Sequence, residues 1–125
     1  MGERILVVED DEKSRRLLVD VLGHHGYEVA AFASGEAALE HAGVRLPAAA
    51  LLDIQLPGIT GFDVLAALRA ASTGSHLPVV AVTASVMEHD RRRILAAGFD
   101  GYVAKPVNIR QLLATLEALL SKDAT

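Results

Sequence analysis

Residues with reactive polar side chains stand at the ends of four short apolar runs in this sequence. They are Glu9, Asp10 and Asp11 after the run 4–8, Asp53 after 48–52, Thr83 at the end of 78–83, and Lys105 after 101–104. If these runs are parallel strands of one sheet, their carboxyl ends lie along the edge where open α/β folds bind ligands. Three or four carboxylates, a hydroxyl and an ammonium group would then meet in one crevice.

This set of side chains favours magnesium and phosphoryl chemistry. Clustered carboxylates raise one another's pKa unless a cation lies among them, and hard oxygen ligands with open positions for water suit Mg²⁺. A metal bound by Asp10 and Asp53 leaves room for a phosphoryl group, whose oxygens Lys105 and Thr83 can contact. Asp53 is then placed as a nucleophile that forms an aspartyl phosphate. Acids that follow strands also cap helices, and for Asp11 that alternative stays open.

Five apolar runs alternate with amphipathic stretches and predict the elements that position these residues. Runs that are apolar throughout are typical of strands buried on both faces of a parallel sheet. Five strand–helix units imply right-handed crossovers with helices on both faces, a doubly wound α/β fold. The predicted strands are "RILVV" (4–8), "EVAAF" (28–32), "AAALL" (48–52), "PVVAVT" (78–83) and "GYVA" (101–104).

The intervening stretches predict five helices with apolar stripes and recognisable ends. Gly26 is predicted to end the first helix, Ser34 to cap the second, and Asn108 with Gln111 to open the fifth. The predicted stripes are Leu17, Leu18, Val21 and Leu22 in the first helix, Val64, Leu65 and Leu68 in the third, Ile94 and Leu95 in the fourth, and Ile109, Leu112, Leu113, Leu116, Leu119 and Leu120 in the fifth.

Composition narrows the class of protein. The 125 residues are 51% hydrophobic and 22% charged, which is typical of one globular domain spanning residues 1–125. A net charge of −4 predicts no direct binding to nucleic acid. No apolar run approaches the roughly 18 residues of a membrane span, and no signal peptide is recognisable. Because the chain has no cysteine, disulfides are impossible, and a cytoplasmic location is expected.

Four motifs in this order and spacing resemble the receiver domains of two-component response regulators, the CheY-like superfamily. The resemblance covers about residues 3–121, through "ILVVEDD", "LLDIQLPGITGFD", "VVAVTAS" and "GFDGYVAKP". It implies a flavodoxin-like fold with a five-stranded parallel sheet in the order 2-1-3-4-5. The segments "DIQLPGITGFD" and "KPVNIRQLL" are most similar to receivers of hybrid sensor kinases and of the stand-alone DivK type.

The resemblance also implies a role for each acid at the strand ends. Asp53 would be the phosphoacceptor, and Asp10 would bind Mg²⁺ directly, with Glu9 acting through water. The main-chain carbonyl of Gln55 would be a further metal ligand. Gln55 and Ser85 occupy positions that in this family tune the attack of water on the aspartyl phosphate. The protein would catalyse only its own phosphotransfer and a slow autodephosphorylation.

Residues of the fourth and fifth strands would bind and report the phosphoryl group. Thr83 and Lys105 would contact its oxygens, and the small side chain of Ala84 would leave the entrance open. Tyr102 matches the aromatic position whose rotamer reports phosphorylation. The family resemblance also predicts a cis peptide bond between Lys105 and Pro106, against a base rate of only about 5–6% for X-Pro bonds.

The partners implied by the resemblance are proteins. A histidine kinase or a histidine phosphotransfer protein would donate the phosphoryl group, and a downstream output protein or domain would recognise the modified surface. We expect the donor to dock beside the first helix, where Ser14 and Arg15 are predicted to be exposed, and at the loop around Pro106.

Three alternative functions can be weighed against the same sequence features. A phosphohydrolase of the haloacid dehalogenase type needs a second aspartate two residues after the nucleophile, and Gln55 stands there. A flavodoxin-like electron carrier would bind a cofactor phosphate beside the first strand, where the acidic turn repels phosphate. A degenerate receiver that acts only as a docking surface is disfavoured, because Asp10, Asp53, Thr83 and Lys105 are all present.

Overall fold

Five strands and five helices alternate along the chain in the computed structural model, which describes residues 2–71, 77–84 and 88–124. The strands are β1 (Arg4–Val8), β2 (Glu28–Phe32), β3 (Ala49–Asp53), β4 (Val79–Thr83) and β5 (Gly101–Ala104). The helices are α1 (Glu12–His24), α2 (Gly35–Val44), α3 (Gly61–Ala71), α4 (Glu88–Ala97) and α5 (Ile109–Ala124). The predicted strands agree with these bounds to within one residue at either end.

The strands form one parallel sheet in the order β2-β1-β3-β4-β5. This confirms the predicted doubly wound topology and strand order. The chain runs from β1 outward to β2 and then returns to β3 on the other side of β1. The connections therefore diverge between β1 and β3, and this is where an open α/β sheet leaves a crevice at its carboxyl edge.

Apolar side chains of the central strands divide between two cores because successive residues of a strand point to opposite faces. On one face Leu6 and Val8 pack with residues of α2, α3 and α4, and on the other Ile5 and Val7 pack with residues of α1 and α5. Strands β1, β3 and β4 are buried almost throughout. Strand β2 is only half-buried, and in β5 only Val103 is buried, so the prediction of burial on both faces is wrong for these two edge strands.

The predicted helix ends are confirmed. The Ser34 hydroxyl accepts a hydrogen bond from the amide of Ala37 (3.2 Å) at the start of α2. The Asn108 side chain accepts one from the amide of Gln111 (3.0 Å) at the start of α5. Gly26 follows α1 with a φ of +99°, a conformation that glycine adopts without steric cost.

Two predicted core leucines are exposed instead. Leu17 and Leu95 each keep 48% of their surface exposed, whereas Leu18, Leu22 and Ile94 are buried. Neighbouring residues of a helix point about 100° apart, so only one of each adjacent apolar pair faces the sheet. Within the described residues, no helix combines the length and apolar character needed to cross a bilayer.

Candidate functional site

Main-chain hydrogen bonds continue for one residue beyond the ends of β1 and β5. They hold Glu9 and Lys105 at the carboxyl edge of the sheet. The amide of Glu9 donates to the carbonyl of Phe32 (3.0 Å), next to the end of β1. On the other side of the crevice, the amide of Lys105 donates to the carbonyl of Thr83 (2.8 Å), next to the end of β5. Asp53 is itself the last residue of β3 and pairs with Val82. These hydrogen bonds fix the main-chain amides of Glu9 and Lys105 to the edge of the sheet.

Three carboxylates meet at this edge. Glu9, Asp10 and Asp53 each offer one oxygen, and these oxygens lie within 4.8 Å of one another. Glu9 and Asp53 are 1% and 5% exposed, whereas Asp10 faces solvent. Oxygen ligands that combine buried anchors with an open side are the donor set of a magnesium site that retains water. The residues therefore fit Mg²⁺.

The ammonium group of Lys105 lies between two of these acids. Its Nζ atom is 3.1 Å from Oδ2 of Asp53 and 2.7 Å from Oε1 of Glu9. Burial lowers the pKa of Lys105, but the hydrogen bonds to Glu9 and Asp53 outweigh it and raise the pKa above the ordinary value of 10.5. The predicted cis peptide bond between Lys105 and Pro106 is also present.

The electrostatics of Glu9 show an excess of negative charge. Burial raises the pKa of Glu9 above its ordinary value, and the neighbouring Asp53 carboxylate adds to this, while the contact with Lys105 offsets only part of it. The cluster thus holds three carboxylates, of which Lys105 contacts those of Glu9 and Asp53. A divalent cation among these oxygens would remove the remaining repulsion.

The loop after β3 folds back against Asp53. The carboxylate oxygen Oδ1 of Asp53 accepts a hydrogen bond from the amide of Gln55 (3.0 Å), and the amide of Gly61 donates to the carbonyl of Ile54 (3.1 Å). A Cβ atom at Gly61 would lie 2.5 Å from the carbonyl oxygen of Asp53. Glycine at this position therefore permits a turn that brings Gln55 beside the acids.

The other predicted site residues lie in β4 and β5 or directly after them. Thr83 is buried at the end of β4, and Ala84 after it is exposed. A cavity of about 100 Å³ separates Thr83 and Gln55 from α4. Tyr102 is half-buried, with the guanidinium of Arg91 5.2 Å from its ring centre. Ser85 lies outside the described residues.

Asp11 is a helix cap. Its carboxylate accepts a hydrogen bond from the amide of Ser14 (2.9 Å) at the start of α1. The hydrogen bonds with Ser14 hold the pKa of Asp11 below its ordinary value. The alternative that the sequence left open is thus decided in favour of capping, and within the described residues the acid cluster consists of Glu9, Asp10 and Asp53.

Arg15 contributes to this region in a way that the sequence did not indicate. Both Ser14 and Arg15 are half-buried, so their predicted exposure is wrong. The Nη1 atom of Arg15 donates to the main-chain carbonyls of Glu9 (3.0 Å) and Asp10 (3.4 Å). The available signal was an arginine in the first turn of a helix that directly follows clustered acids.

Comparison with known proteins agrees with this geometry. The family model of the response regulator receiver domain matches residues 5–117. The polar-differentiation response regulator DivK of Brucella ovis is 35% identical over 120 residues, which cover 96% of this chain and 98% of that protein. The chain therefore belongs to the response regulator receiver domain family. Its general function is that of a phosphoryl-accepting switch in two-component signalling.

Solved structures support the same assignment. A putative response regulator from Chloroflexus aurantiacus superposes with a TM-score of 0.90 at 32% identity, covering 97% of this chain and 99% of that chain. The receiver domain of a sensor histidine kinase from Pseudomonas aeruginosa superposes with a TM-score of 0.87 at 31% identity and the same coverage. That structure holds a magnesium ion coordinated in its active-site cleft. The similarity to DivK and to a sensor-kinase receiver confirms the resemblance noted in the sequence.

Proposed function

We propose that Asp53 is the residue that accepts the phosphoryl group, from a phosphohistidine of a partner protein. The observation that carries this proposal is the placement of the Asp53 carboxylate, which is buried at the end of β3, 3.1 Å from the Lys105 ammonium and beside two further acids. A carboxylate in this position has a nucleophilic oxygen at the carboxyl edge of the sheet and a cation next to it.

The proposed reaction is a phosphoryl transfer from nitrogen to oxygen. A carboxylate oxygen of Asp53 forms a bond to phosphorus, the bond from phosphorus to the histidine nitrogen breaks, and its electron pair stays on the imidazole. Charge on the phosphoryl oxygens must be balanced during the transfer. Lys105 can shift from the carboxylates to one of these oxygens, because its ammonium group already lies beside Asp53.

We assign the metal ligands to residues that surround Asp53. Asp10, Asp53 and the main-chain carbonyl of Gln55 would hold Mg²⁺ directly, and Glu9 would hold it through water. When bound, Mg²⁺ supplies positive charge that offsets the repulsion between the carboxylates and the incoming phosphoryl group. Glu9 is buried and in contact with Lys105, so its carboxylate also keeps the lysine near Asp53 before the donor arrives.

Thr83 and Tyr102 would transmit the modification. A phosphoryl group brings about two negative charges and strong acceptor oxygens, and the Thr83 hydroxyl at the end of β4 can donate to one of them. Movement of Thr83 with its loop would open space for the ring of Tyr102 on the neighbouring strand. Ala84 beside Thr83 is small enough to leave the entrance open. The surface around α4, β5 and α5 would change for an output partner.

The cellular setting follows from this chemistry. A cytoplasmic histidine kinase or histidine phosphotransfer protein would be the donor, and water would remove the phosphoryl group slowly in the autodephosphorylation that resets the switch. Residues 1–125 would act as a single receiver domain. The proposal is tested by incubating the protein with a radioactive phosphoryl donor, either acetyl phosphate or a phosphorylated histidine domain, and measuring the label that it takes up.

The labelling experiment compares the wild-type protein with Asp53→Asn and with the matched control Asp20→Asn, an exposed acid on α1. We expect wild type and control to be labelled with Mg²⁺ and not with excess chelator, and Asp53→Asn to stay unlabelled. Label on Asp53→Asn, or label that chelator leaves unchanged, would refute the assignment. A receiver that serves only as a docking surface would take up no label in any variant.

A further inference from the structure

The side chain of Arg15 turns back from α1 toward the loop that joins β1 to α1. The Arg15 amide donates to the carbonyl of Asp11 (2.9 Å), so its backbone is fixed in the first turn of the helix. Its guanidinium Nη1 donates to the carbonyls of Glu9 (3.0 Å) and Asp10 (3.4 Å). One cation thus contacts the main chain of two neighbouring residues that both belong to the acid cluster.

These contacts set the orientation of two peptide groups that belong to neither a strand nor a helix. Glu9 and Asp10 lie between the end of β1 and the capping residue Asp11. Each carbonyl carbon is bonded to the Cα of its own residue, so a carbonyl held by Arg15 limits rotation about the Cα–C bond of Glu9 and of Asp10. Arg15 therefore restrains the main chain of Glu9 and Asp10, while the Glu9 carboxylate is also held by the amide of Asp11 (3.1 Å) and by Lys105.

Arg15 does not act as a counter-ion that pairs with the carboxylates of the cluster. Lys105 contacts the carboxylates of Glu9 and Asp53 directly. The hydrogen bonds of Arg15 go to carbonyl oxygens, and among the described ion pairs none joins Arg15 to a carboxylate. The guanidinium can thus hold the loop while the carboxylate oxygens stay directed toward the cluster.

We infer that Arg15 is a positioning residue that holds the Glu9–Asp10 loop in the orientation that binds Mg²⁺. This inference rests on the proposed function, since it concerns the same metal site. Partners outside the ligand set orient ligands in this way in other metal sites, and their loss typically lowers metal affinity about 10- to 100-fold. Arg15 differs only in acting through main-chain carbonyls.

The sign of the effect distinguishes positioning from simple electrostatics. Removal of a positive charge near a cation site should strengthen cation binding if the charge acts only through its field. A positioning role predicts the opposite, because the loop loses its restraint. Arg15→Gln and Arg16→Gln form a matched pair, since both remove one guanidinium from neighbouring positions of α1, and Arg16 is exposed.

The test is a calorimetric titration of Mg²⁺ into the metal-free wild type, Arg15→Gln, Arg15→Lys and Arg16→Gln, with thermal melts to confirm folding. We expect Arg15→Gln to bind about tenfold more weakly than wild type, Arg16→Gln to bind equally or more tightly, and Arg15→Lys to fall between wild type and Arg15→Gln. If Arg15→Gln does not fold, Arg15→Lys takes its place in the comparison. Amide chemical shifts of Asp10 and Asp11 in the metal-free variants should change in parallel with affinity.

Two results would overturn the inference and are distinguishable. If wild type binds Mg²⁺ and Arg15→Gln binds as tightly as Arg16→Gln, the positioning role is refuted while the proposed function stands. If the wild-type protein itself binds no Mg²⁺ and takes no label, the proposed function and the inference both fail.

Discussion

The ammonium group of Lys105 lies 3.1 Å from the carboxylate of Asp53, although β4 separates the strand that ends at Asp53 from the strand that Lys105 follows. The same ammonium reaches Glu9 at 2.7 Å. Lys105 thus partly balances the negative charge of two buried carboxylates in the metal-free protein. Five predictions follow from this site and from the elements that support it.

Replacement of Lys105 by Met should destabilise the metal-free protein. The substitution leaves two buried carboxylates without their ammonium partner, a loss that costs several kcal/mol at fully buried sites. The lysine side chain is 26% exposed, so we expect a smaller decrease of about 1–2 kcal/mol in the free energy of unfolding. Urea denaturation with chelator measures it. Equal stability of wild type and variant would show that solvent already screens the acids.

Replacement of Asp10 by Asn should weaken Mg²⁺ binding without loss of stability. Removal of one clustered acid relieves repulsion, so the metal-free variant should melt at the same temperature as wild type or above it. Asp11→Asn is the control, because it removes a neighbouring charge and asparagine still caps α1. Calorimetric titration and melting of both variants test this. Clear destabilisation of metal-free Asp10→Asn, or equal Mg²⁺ affinity of the two variants, would contradict it.

The pair Arg4–Glu28 should make stability depend on pH below neutrality. The hydrogen bond from Arg4 to Glu28 (3.0 Å) holds the pKa of Glu28 below its ordinary value of 4.5. The folded state therefore keeps this carboxylate ionised to lower pH than the unfolded chain does. Its contribution to stability is present above pH 4.5 and disappears as the pH falls through the lowered pKa.

Urea denaturation of wild type and Glu28→Gln across this range measures the effect. The stability advantage of wild type should be constant near neutral pH and shrink on acidification below pH 4.5. Glu40→Gln, an exposed acid on α2, should show no such trend. An advantage that grows on acidification would contradict the prediction.

Replacement of Thr83 by Ala should leave uptake of the phosphoryl group intact but abolish the structural response near Tyr102. The variant keeps Asp53 and Lys105 and should still take up label, but it lacks the hydroxyl that would follow the phosphoryl oxygens. Beryllofluoride, a phosphoryl mimic, should shift the amide resonances near Tyr102 in wild type and in Thr83→Ser, which retains a hydroxyl. The same shifts in Thr83→Ala would show that the hydroxyl does not couple the two sites.

Replacement of Gly61 by Ala should destabilise the loop that follows Asp53. The new methyl group would lie 2.5 Å from the carbonyl oxygen of Asp53 and 2.9 Å from the Cα of Ile54, and neither backbone atom can move cheaply. We expect a loss of about 1–3 kcal/mol in the free energy of unfolding. Gly43→Ala is the control, because a methyl group there meets nothing within 4 Å and favours α2. Equal effects of both substitutions on urea denaturation would contradict the packing argument.

The doubly wound fold, the strand bounds to within one residue, and the acids and lysine that meet at the carboxyl edge were all predictable from the sequence. Apolar runs report burial directly, and in a parallel sheet every strand ends at the same edge, so Asp53 and Lys105 were expected at one edge of the sheet. The strand order that brings them together was predicted from the family resemblance. The roles assigned to these residues in phosphoryl transfer stay predictions.

The tertiary structure was needed to show which polar groups contact the site residues and which apolar side chains of the helices are exposed. Leu95 is exposed although it follows the buried Ile94, because the sheet covers only one side of α4. Asp11 caps α1 and does not join its two acidic neighbours, and Arg15 bends back to their carbonyls. Residue type and spacing left these outcomes open, because they depend on the direction in which each helix leaves the sheet.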